Sequence, residues 1–347
     1  DDTGTSFWWR SLARNKKSVT INLREANGRE LVRRLAADAD VLIENFRPGK
    51  MEEWGLGPED LEASNPGLIY TRISGYGQSG PYASRAGFAS ACEAIGGLRH
   101  ITGFPGETPV RPNLSLGDSL AGLHAAFGIL LALIERNRNE DAPGQTIDVA
   151  IYEAVFNMLE SVVPEYSGAG VIREPSGSTI TGAVPSNTYL CRDGHYVVIG
   201  GNADSIFPRL MRTAGRPEMA EDPRFANNTG RVAHRREIDD AIGLWTQTLD
   251  SEEVLGKLAE ASVPSGPIYT VEDMMQDPHF RSRGLFEHVE VNGKTLEIPA
   301  LIPKLSATPG RTDWAGPDAG SHNQEILGAR LGLTDKELDD LRASGVI

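Results

Sequence analysis

The fold is decided between residues 28 and 45, which read GRELVRRLAADADVLIEN. The leucines and the valine in the first part of this stretch fall on one helical face, so residues 28–39 are predicted to form a helix. A Val-Leu-Ile run follows at once within residues 40–45, and a short apolar run between polar residues is typical of a buried strand. A helix that leads directly into a buried strand indicates an α/β domain.

The same alternation continues on both sides of this stretch. Apolar patterns predict strands at 18–23, 67–73 and 145–149, and helices at 58–63, 119–136 and 151–163. The helix at 119–136 is apolar nearly all round, so it is predicted to be deeply buried. Together these elements predict an α/β fold: an open, mostly parallel sheet with helices on both faces, in a Rossmann-like large domain. Ligands of such sheets bind outside the carboxyl ends of the strands.

A change of composition marks a second, smaller domain. Residues after 164 become rich in Gly, Ser, Thr and Pro, which indicates a linker. Residues 186–200 then have the pattern of a β-hairpin. Helical patterns follow, and a strand-like segment returns the chain to the first domain. The predicted division is a large domain at 1–164 and 305–347, linkers at 165–185 and 281–304, and a small α+β domain at 186–280.

Composition excludes several classes of function. The chain has 347 residues and a net charge of −14, which argues against nucleic acid and anionic membrane surfaces as partners. Its longest apolar run, 125–134, is far short of the ~20 residues of a membrane helix. Seven histidines and two cysteines, Cys92 and Cys191, show neither metal-ligand spacing nor a disulfide framework. We therefore expect a cytoplasmic protein without a metal.

One cluster of positive charge stands out against the acidic composition. It comprises Arg10, Arg14, Lys16 and Lys17. An anionic small ligand needs only such a local positive site. A solvated basic face explains the same residues equally well.

Asp118 precedes the long apolar helix, within Leu116-Gly-Asp-Ser119. One interpretation is a plain N-cap, for which Asp is a preferred residue. The other is a nucleophile, because a helix amino end favours the ionised carboxylate. Such a carboxylate, kept away from water, can attack an activated acyl group. The preceding glycine would then let a substrate approach the backbone.

Other possible catalytic motifs are weaker. His124, on the same helix, is interpreted as a core residue. The loop Gly75-Tyr-Gly-Gln-Ser-Gly80 has the spacing of a dinucleotide fingerprint, but Pro81 follows and no acidic strand end stands at the expected distance. We therefore interpret it as a loop of another kind. The sequence contains no Gly-x-Ser-x-Gly elbow, Walker A loop or His-Glu-x-x-His motif.

Several stretches, in order along nearly the whole chain, resemble the class III coenzyme A transferases. They are NKKSVTINL (15–23), ADVLIENFRPG (39–49), NPGLIY (65–70), SGYGQSGPY (74–82), Gly117-Asp118 with the helix that follows, VPSGPI (263–268), DPHF (277–280) and GSHNQEIL (320–327). Each motif alone is weak evidence for the resemblance, whereas the whole set is specific for this family.

The resemblance implies a CoA-transferase in which Asp118 is the nucleophile. In the family this aspartate takes the acyl group of a thioester as a mixed anhydride and then carries CoA as an aspartyl thioester. Coenzyme A is a substrate, and no further cofactor is implied. The family positions that contact CoA correspond to Ile21, Asn22, Leu23, Arg24, Asn45, Phe46, Arg47 and Phe88. The resemblance also implies acyl-CoA and carboxylic acid substrates and a homodimer of two interlocked rings.

The chain departs from the family pattern at three points. Glu53 stands where formyl-CoA transferase carries a basic residue. Phe88 stands where the related α-methylacyl-CoA racemases carry a catalytic histidine. The chain also opens just after the strand–helix–strand unit with which family members begin, so we expect the sequence to be incomplete at its amino end. Two alternatives therefore stay open: a racemase-like isomerase and a non-catalytic acyl-CoA binding protein.

Overall fold

A computed structural model describes residues 1–139 and 142–347. The strands are β1 Val41–Glu44, β2 Ile69–Ser74, β3 Thr146–Ala150, β4 Ser186–Leu190, β5 Tyr196–Gly200, β6 Ser265–Pro267, β7 Phe286–Val291 and β8 Lys294–Pro299. The α-helices are α1 Phe7–Leu12, α2 Ala26–Ala36, α3 Lys50–Glu53, α4 Pro58–Glu62, α5 Ala89–Ile95, α6 Leu98–Ile101, α7 Leu116–Arg138, α8 Ile151–Asn157, α9 Val162–Ala169, α10 Phe207–Thr213, α11 Pro217–Glu221, α12 Asn228–Ala233, α13 Arg235–Thr246, α14 Ser251–Glu260, α15 Val271–Gln276, α16 Pro278–Ser282 and α17 Asp335–Ala343. A 3-10 turn at Pro223–Phe225 and a π-helix at Gln324–Arg330 complete the assignment.

The chain divides into two compact units. Unit 1 comprises Asp1–Glu93, Ser115–Phe156 and Met274–Ile347, and unit 2 comprises Ala94–Leu114 and Asn157–Asp273. The domain boundaries drawn from composition stay a prediction. The two divisions differ because the units place residues 94–114 in unit 2, and the hairpin of β7 and β8 in unit 1.

Unit 1 is built on a parallel sheet in the order β1-β2-β3. Val41 of β1 lies opposite Ile69 of β2, and Tyr70 of β2 lies opposite Thr146 of β3. The predicted α/β class with a parallel sheet is therefore confirmed. All three strands end at the same edge, which is where α/β proteins place their sites.

Helix α7 packs on this sheet through small residues. Gly117, Ala121, Ala125 and Ala132 form its buried stripe. At Gly128 an added Cβ would lie 3.2 Å from Ile147 of β3, so the helix approaches the sheet closely.

The expectation that α7 is deeply buried was wrong. Its large side chains point away from the sheet and are exposed: Leu123, Phe127, Leu130, Leu131 and Ile134. By length and composition α7 is, among the described residues, the one helix that meets the criteria for crossing a membrane. Its alanine stripe instead packs against the sheet as a core helix does, which leaves one apolar face uncovered in the single chain.

The strand predicted at 18–23 does not form. Their N–H groups donate instead to side chains and backbone of the carboxyl-terminal segment. Ser18 donates to His322 Nδ1 at 3.1 Å, Thr20 to Asn323 Oδ1 at 2.9 Å, and Asn22 to the Val346 carbonyl at 2.7 Å. These N–H groups therefore have hydrogen-bond partners although no neighbouring strand pairs with the segment.

The segment after β3 also differs from its prediction. The single helix expected at 151–163 is two shorter helices, α8 and α9, and α9 continues into the predicted linker. In unit 2, the hairpin predicted at 186–200 is confirmed by the antiparallel pairing of β4 and β5.

The core of unit 2 contains a fully buried cation. Arg231 has an exposed fraction of 0% and lies beside an apolar cluster that includes Phe207 and Phe225. Its guanidinium donates to the carbonyls of Val184, Phe225 and Asn202 at 2.6–2.9 Å, so the buried charge is fully engaged. Such a side chain stabilises a loop junction, which is a structural function.

Unit 1 should show an acid-dependent loss of stability that is traceable to Glu52. Buried Arg72 donates to Glu52 at 2.5 and 3.1 Å, and this hydrogen bond lowers the Glu52 pKa from its ordinary value of 4.5. A carboxyl whose pKa is depressed in the folded state contributes stability above its unfolded pKa and loses it as the pH falls through the folded value. We therefore expect Glu52→Gln to flatten the fall in unfolding free energy below pH 4.5, measured by urea titration at several pH values.

Glu53→Gln provides the control for that titration. Exposed Glu53 pairs with half-buried Lys50 at 2.8 Å, and such pairs near the surface contribute little. The assignment to Glu52 would be contradicted if the unfolding free energy of Glu52→Gln fell with pH as steeply as that of the wild type. It would also be contradicted if Glu53→Gln flattened this fall equally.

Candidate active site

Asp118 lies in the first turn of α7 but does not cap it. The helix begins at Leu116 with Ser115 as its N-cap, so Asp118 is the third helical residue, and the plain N-cap interpretation was wrong. The Asp118 side chain is exposed in the single chain. Its negative charge stands at the positive end of the helix dipole, where it is favoured.

Gly117 brings the start of α7 against a second carboxylate. Its N–H donates to Glu93 Oε1 at 3.1 Å. An added Cβ at Gly117 would lie 3.1 Å from Ile151 and 3.3 Å from the Glu93 side chain. The glycine is therefore needed for packing inside the protein, rather than for the approach of a substrate.

The glycine-rich loop after β2 packs beside α7. Cys92 Sγ lies 3.3 Å from the Gly75 carbonyl, and Tyr76 packs with Cys92, Ala121 and Ala125 in one buried cluster. Burial raises the pKa of the Cys92 thiol, and the negative charges of Asp118 and Glu93 raise it further. Cys92 is thus a buried residue that packs between the Gly75 loop and α7.

The loop after β1 is held by a buried ion pair at the same edge of the sheet. Glu44, the last residue of β1, accepts the N–H of Phe46 at 2.7 Å and the Arg72 guanidinium at 2.9 Å. Both Glu44 and Arg72 are buried. The pair therefore fixes the backbone that carries the predicted CoA contacts Asn45, Phe46 and Arg47.

The predicted contact residues of this loop are accessible. Asn45, Phe46 and Arg47 are all exposed, and Phe46 packs edge-on against Trp54 with ring centroids 5.1 Å apart. Phe88, which precedes α5, has an exposed fraction of 84%. A large aromatic side chain that is this exposed does not contribute to the hydrophobic core of the single chain.

The other predicted contacts, Ile21 to Arg24, are divided between core and surface. Ile21 and Leu23 pack against apolar clusters and are half-buried. Asn22 and Arg24 are exposed, and Asn22 Oδ1 accepts the Arg24 N–H at 3.1 Å. Asn22 and Arg24 are therefore the side chains of this segment that are accessible to a ligand.

The basic cluster near the amino end is occupied by intramolecular contacts. Arg10 is buried and donates to Asp1 at 2.8 Å, and Arg14 donates to the Pro299 carbonyl at 2.7 Å. Lys16 donates to the Leu12 carbonyl at 2.7 Å. Lys17 pairs with Glu325. These charged side chains make contacts within the protein and do not form a free anion-binding site.

Four residues near the site were missed from the sequence: Glu44, Arg72, Cys92 and Glu93. One signal was available, since charged Glu44 and Arg72 interrupt apolar strand segments and so need buried partners. Their pairing spans 28 residues and the Glu93–Gly117 bond spans 24, which local patterns do not reveal.

The sequence matches a known family over most of its length. Residues 1–323 match CoA-transferase family III. The chain is 48% identical over 345 residues to the succinyl-CoA--D-citramalate CoA-transferase of Chloroflexus aurantiacus, covering 99% of this chain and 85% of that protein. It is 44% identical over 341 residues to the alpha subunit of succinyl-CoA--L-malate CoA-transferase from Chloroflexus aurantiacus, covering 98% and 79% of the two chains.

A solved structure shares the fold. The crystal structure of a CAIB/BAIF family protein from Brucella suis superposes with a TM-score of 0.81 at 34% sequence identity. The superposition covers 94% of this chain and 84% of that one.

Proposed function

This chain belongs to CoA-transferase family III, and we propose that it transfers CoA from succinyl-CoA to a short dicarboxylic acid, with Asp118 as the covalent carrier. Its relatives include transferases named for succinyl-CoA with D-citramalate and with L-malate. Both acceptors are short dicarboxylic acids that carry a hydroxyl group. An acceptor of this chemical class is therefore our proposal for this enzyme.

The observation that carries the proposal is the position of Asp118. It is an exposed carboxylate in the first turn of a 23-residue helix, and that turn packs against residues that follow β2 and β3. The carboxyl ends of parallel strands are where ligands reach an α/β fold. The helix dipole keeps the carboxylate ionised and hence nucleophilic.

The proposed chemistry exchanges one thioester for another, so neither ATP nor a redox partner is needed. An Asp118 oxygen attacks the succinyl-CoA carbonyl, the C–S bond breaks, and CoA departs as the thiolate. A succinyl–aspartyl anhydride remains on the enzyme. The thiolate attacks the aspartyl carbonyl, which releases succinate and forms an aspartyl-CoA thioester. The acceptor carboxylate displaces CoA to form a second anhydride, and the thiolate takes the acceptor acyl group and restores Asp118.

Oxyanions formed in these steps need hydrogen-bond donors. We propose that backbone N–H groups at the start of α7 supply them.

CoA is proposed to lie along the loop that Glu44 and Arg72 hold. Asn45, Phe46 and Arg47 offer an amide, an aromatic ring and a cation on one exposed segment. Asn22, Arg24 and Phe88 are the further exposed positions that we assign to CoA, while Ile21 and Leu23 support the backbone.

We also propose that the active enzyme is a homodimer. The exposed apolar face of α7 begins five residues after Asp118, at Leu123, and a second copy would cover it. Covering it would also exclude water near Asp118, which an anhydride intermediate requires. The interlocked arrangement of the two chains is part of this proposal.

The chain is a class III CoA-transferase, so the isomerase and the simple binding protein are no longer favoured alternatives. Phe88 cannot shuttle a proton, which a racemase needs at that position. Absence of deuterium wash-in at the α-carbon of a 2-methylacyl-CoA would agree with this.

Substrate exchange tests the proposed function directly. The protein is incubated with succinyl-CoA and, in separate reactions, with citramalate, malate, other dicarboxylic acids and monocarboxylic acids, without ATP. We expect new thioesters with the hydroxylated dicarboxylic acids, formed in step with the release of succinate. Hydrolysis of succinyl-CoA without a new thioester, or a preference for monocarboxylic acids, would contradict the substrate assignment.

A further inference from the structure

Glu93 is a buried carboxylate beside the nucleophile helix that the transfer chemistry does not use. It lies on α5 with an exposed fraction of 0%, and its Oε1 accepts the N–H of Gly117 at 3.1 Å. Gly117 directly precedes Asp118 in the chain. We propose that Glu93 is a positioning residue, which fixes the first turn of α7 and thereby directs the Asp118 carboxylate.

The first turn of α7 needs such a partner because its own cap is absent. Ser115 occupies the N-cap position, but its side chain makes no capping hydrogen bond. A helix start leaves several N–H groups without partners, and a buried one is costly to leave unpaired. Gly117 is buried, so Glu93 supplies from another helix the acceptor that an N-cap side chain ordinarily provides.

The packing around Gly117 leaves little freedom for this contact. An added Cβ would lie 3.1 Å from Ile151 Cγ2 and 3.3 Å from Glu93 Cγ, both tighter than ordinary van der Waals contact. Any larger residue would therefore push Glu93 or Ile151 away from the helix start. The glycine and the glutamate act as a matched pair that sets where α7 begins.

Glu93 also lies close to the reacting centre. The charges of Glu93 and of Asp118 both raise the pKa of the Cys92 thiol, after the larger effect of burial. Glu93 also accepts the N–H of the residue that directly precedes Asp118 in the chain. A small displacement of the helix start would pass directly to Asp118, and misplacement by about 1 Å can cost roughly 10²-fold in rate.

Two conservative substitutions separate the hydrogen bond from the charge. Glu93→Gln keeps an oxygen at the same distance but removes the charge. Glu93→Asp keeps the charge but shortens the side chain by one methylene, so the carboxylate no longer reaches Gly117. A positioning role predicts activity in the first variant and loss in the second, whereas a role for the charge predicts the opposite.

The test measures kcat and KM for succinyl-CoA in the intact enzyme, with thermal unfolding for each variant. We expect Glu93→Asp to lower kcat by roughly 10²-fold with KM changed less than about threefold, and Glu93→Gln to retain kcat within about fivefold. Tyr70→Phe is the matched control, since it removes a buried hydrogen bond to the Leu56 carbonyl, 2.8 Å long, in the same unit. It should lower the unfolding temperature and leave kcat unchanged.

The outcomes are decisive in either direction. If Glu93→Asp loses stability as Tyr70→Phe does but keeps its kcat, or if Glu93→Gln falls as far as Glu93→Asp, the inference is overturned. Should Glu93→Asp fail to fold, Gly117→Ala replaces it, and full kcat in that variant would equally overturn the inference. The inference rests on the proposed role of Asp118, and the two fail separately, because turnover by Asp118→Asn would refute the nucleophile whatever the Glu93 variants do.

Discussion

Replacing Asp118 by asparagine is expected to lower kcat by roughly 10⁴-fold or more, because an amide cannot replace the carboxylate that forms the anhydride. The fold should survive, since Asp118 is exposed and Ser115 holds the N-cap position. Loss of the charge at the helix start costs only about 0.3–1 kcal/mol. Steady-state formation of the acceptor thioester is the measurement.

Asp335→Asn is the matched control for this prediction. Asp335 is another exposed aspartate in a first helical turn, that of α17, so the same charge is removed from a similar place. It should keep wild-type turnover. Mass spectrometry of the wild-type enzyme during turnover should find the CoA adduct on the peptide that contains Asp118. An adduct on another residue, or full turnover by a correctly folded Asp118→Asn, would exclude the proposed mechanism.

Introducing a charge on the exposed face of α7 is expected to convert the proposed dimer into single chains. Phe127 has an exposed fraction of 64% in the single chain, and burial of such a side chain contributes roughly 1.5–3 kcal/mol. Phe127→Glu would lose that contribution and bury an unpaired charge. In a two-fold symmetric interface the substitution is present in both subunits, so it weakens the interface at two places. We expect the dimer dissociation constant to rise at least about 10³-fold, measured by analytical ultracentrifugation.

Leu244→Glu is the control for the interface. Leu244, on α13, has an exposed fraction of 65%, so the change in side chain and exposure is closely matched. It should leave the dimer intact. The Phe127→Glu chains should also hydrolyse succinyl-CoA in preference to transferring it, because Asp118 would stay open to water. A wild-type protein that is monomeric at micromolar concentration, yet fully active, would refute the dimer.

The architecture of unit 1 could be predicted because its signals are local. Short segments that are either apolar or alternate apolar with polar residues indicate β1, β2 and β3, and the strands form close to the predicted bounds. The 18–23 segment failed for the opposite reason. Its alternation is that of a strand, but the partners of its N–H groups lie more than 300 residues away, at His322 and Asn323.

The site was predictable only in part. Motif resemblance pointed to Asp118 and to the exposed loop at Asn45–Arg47, which we propose as substrate contacts, because each motif is contiguous in the chain. Glu93 was missed because the group that it accepts from lies 24 residues away in the chain. Its partner, the Gly117 N–H, becomes unpaired only once α7 begins at Leu116.

Residue order alone was sufficient for the alternation of strands and helices, the confirmed hairpin in unit 2 and the family to which the chain belongs, since each depends on neighbours in the chain. Packing settled where α7 begins, why Gly117 must be a glycine and which face of that helix is left uncovered. These features depend on groups brought together from distant positions, where burial makes an unpaired N–H or an unpaired charge costly and so selects its partner.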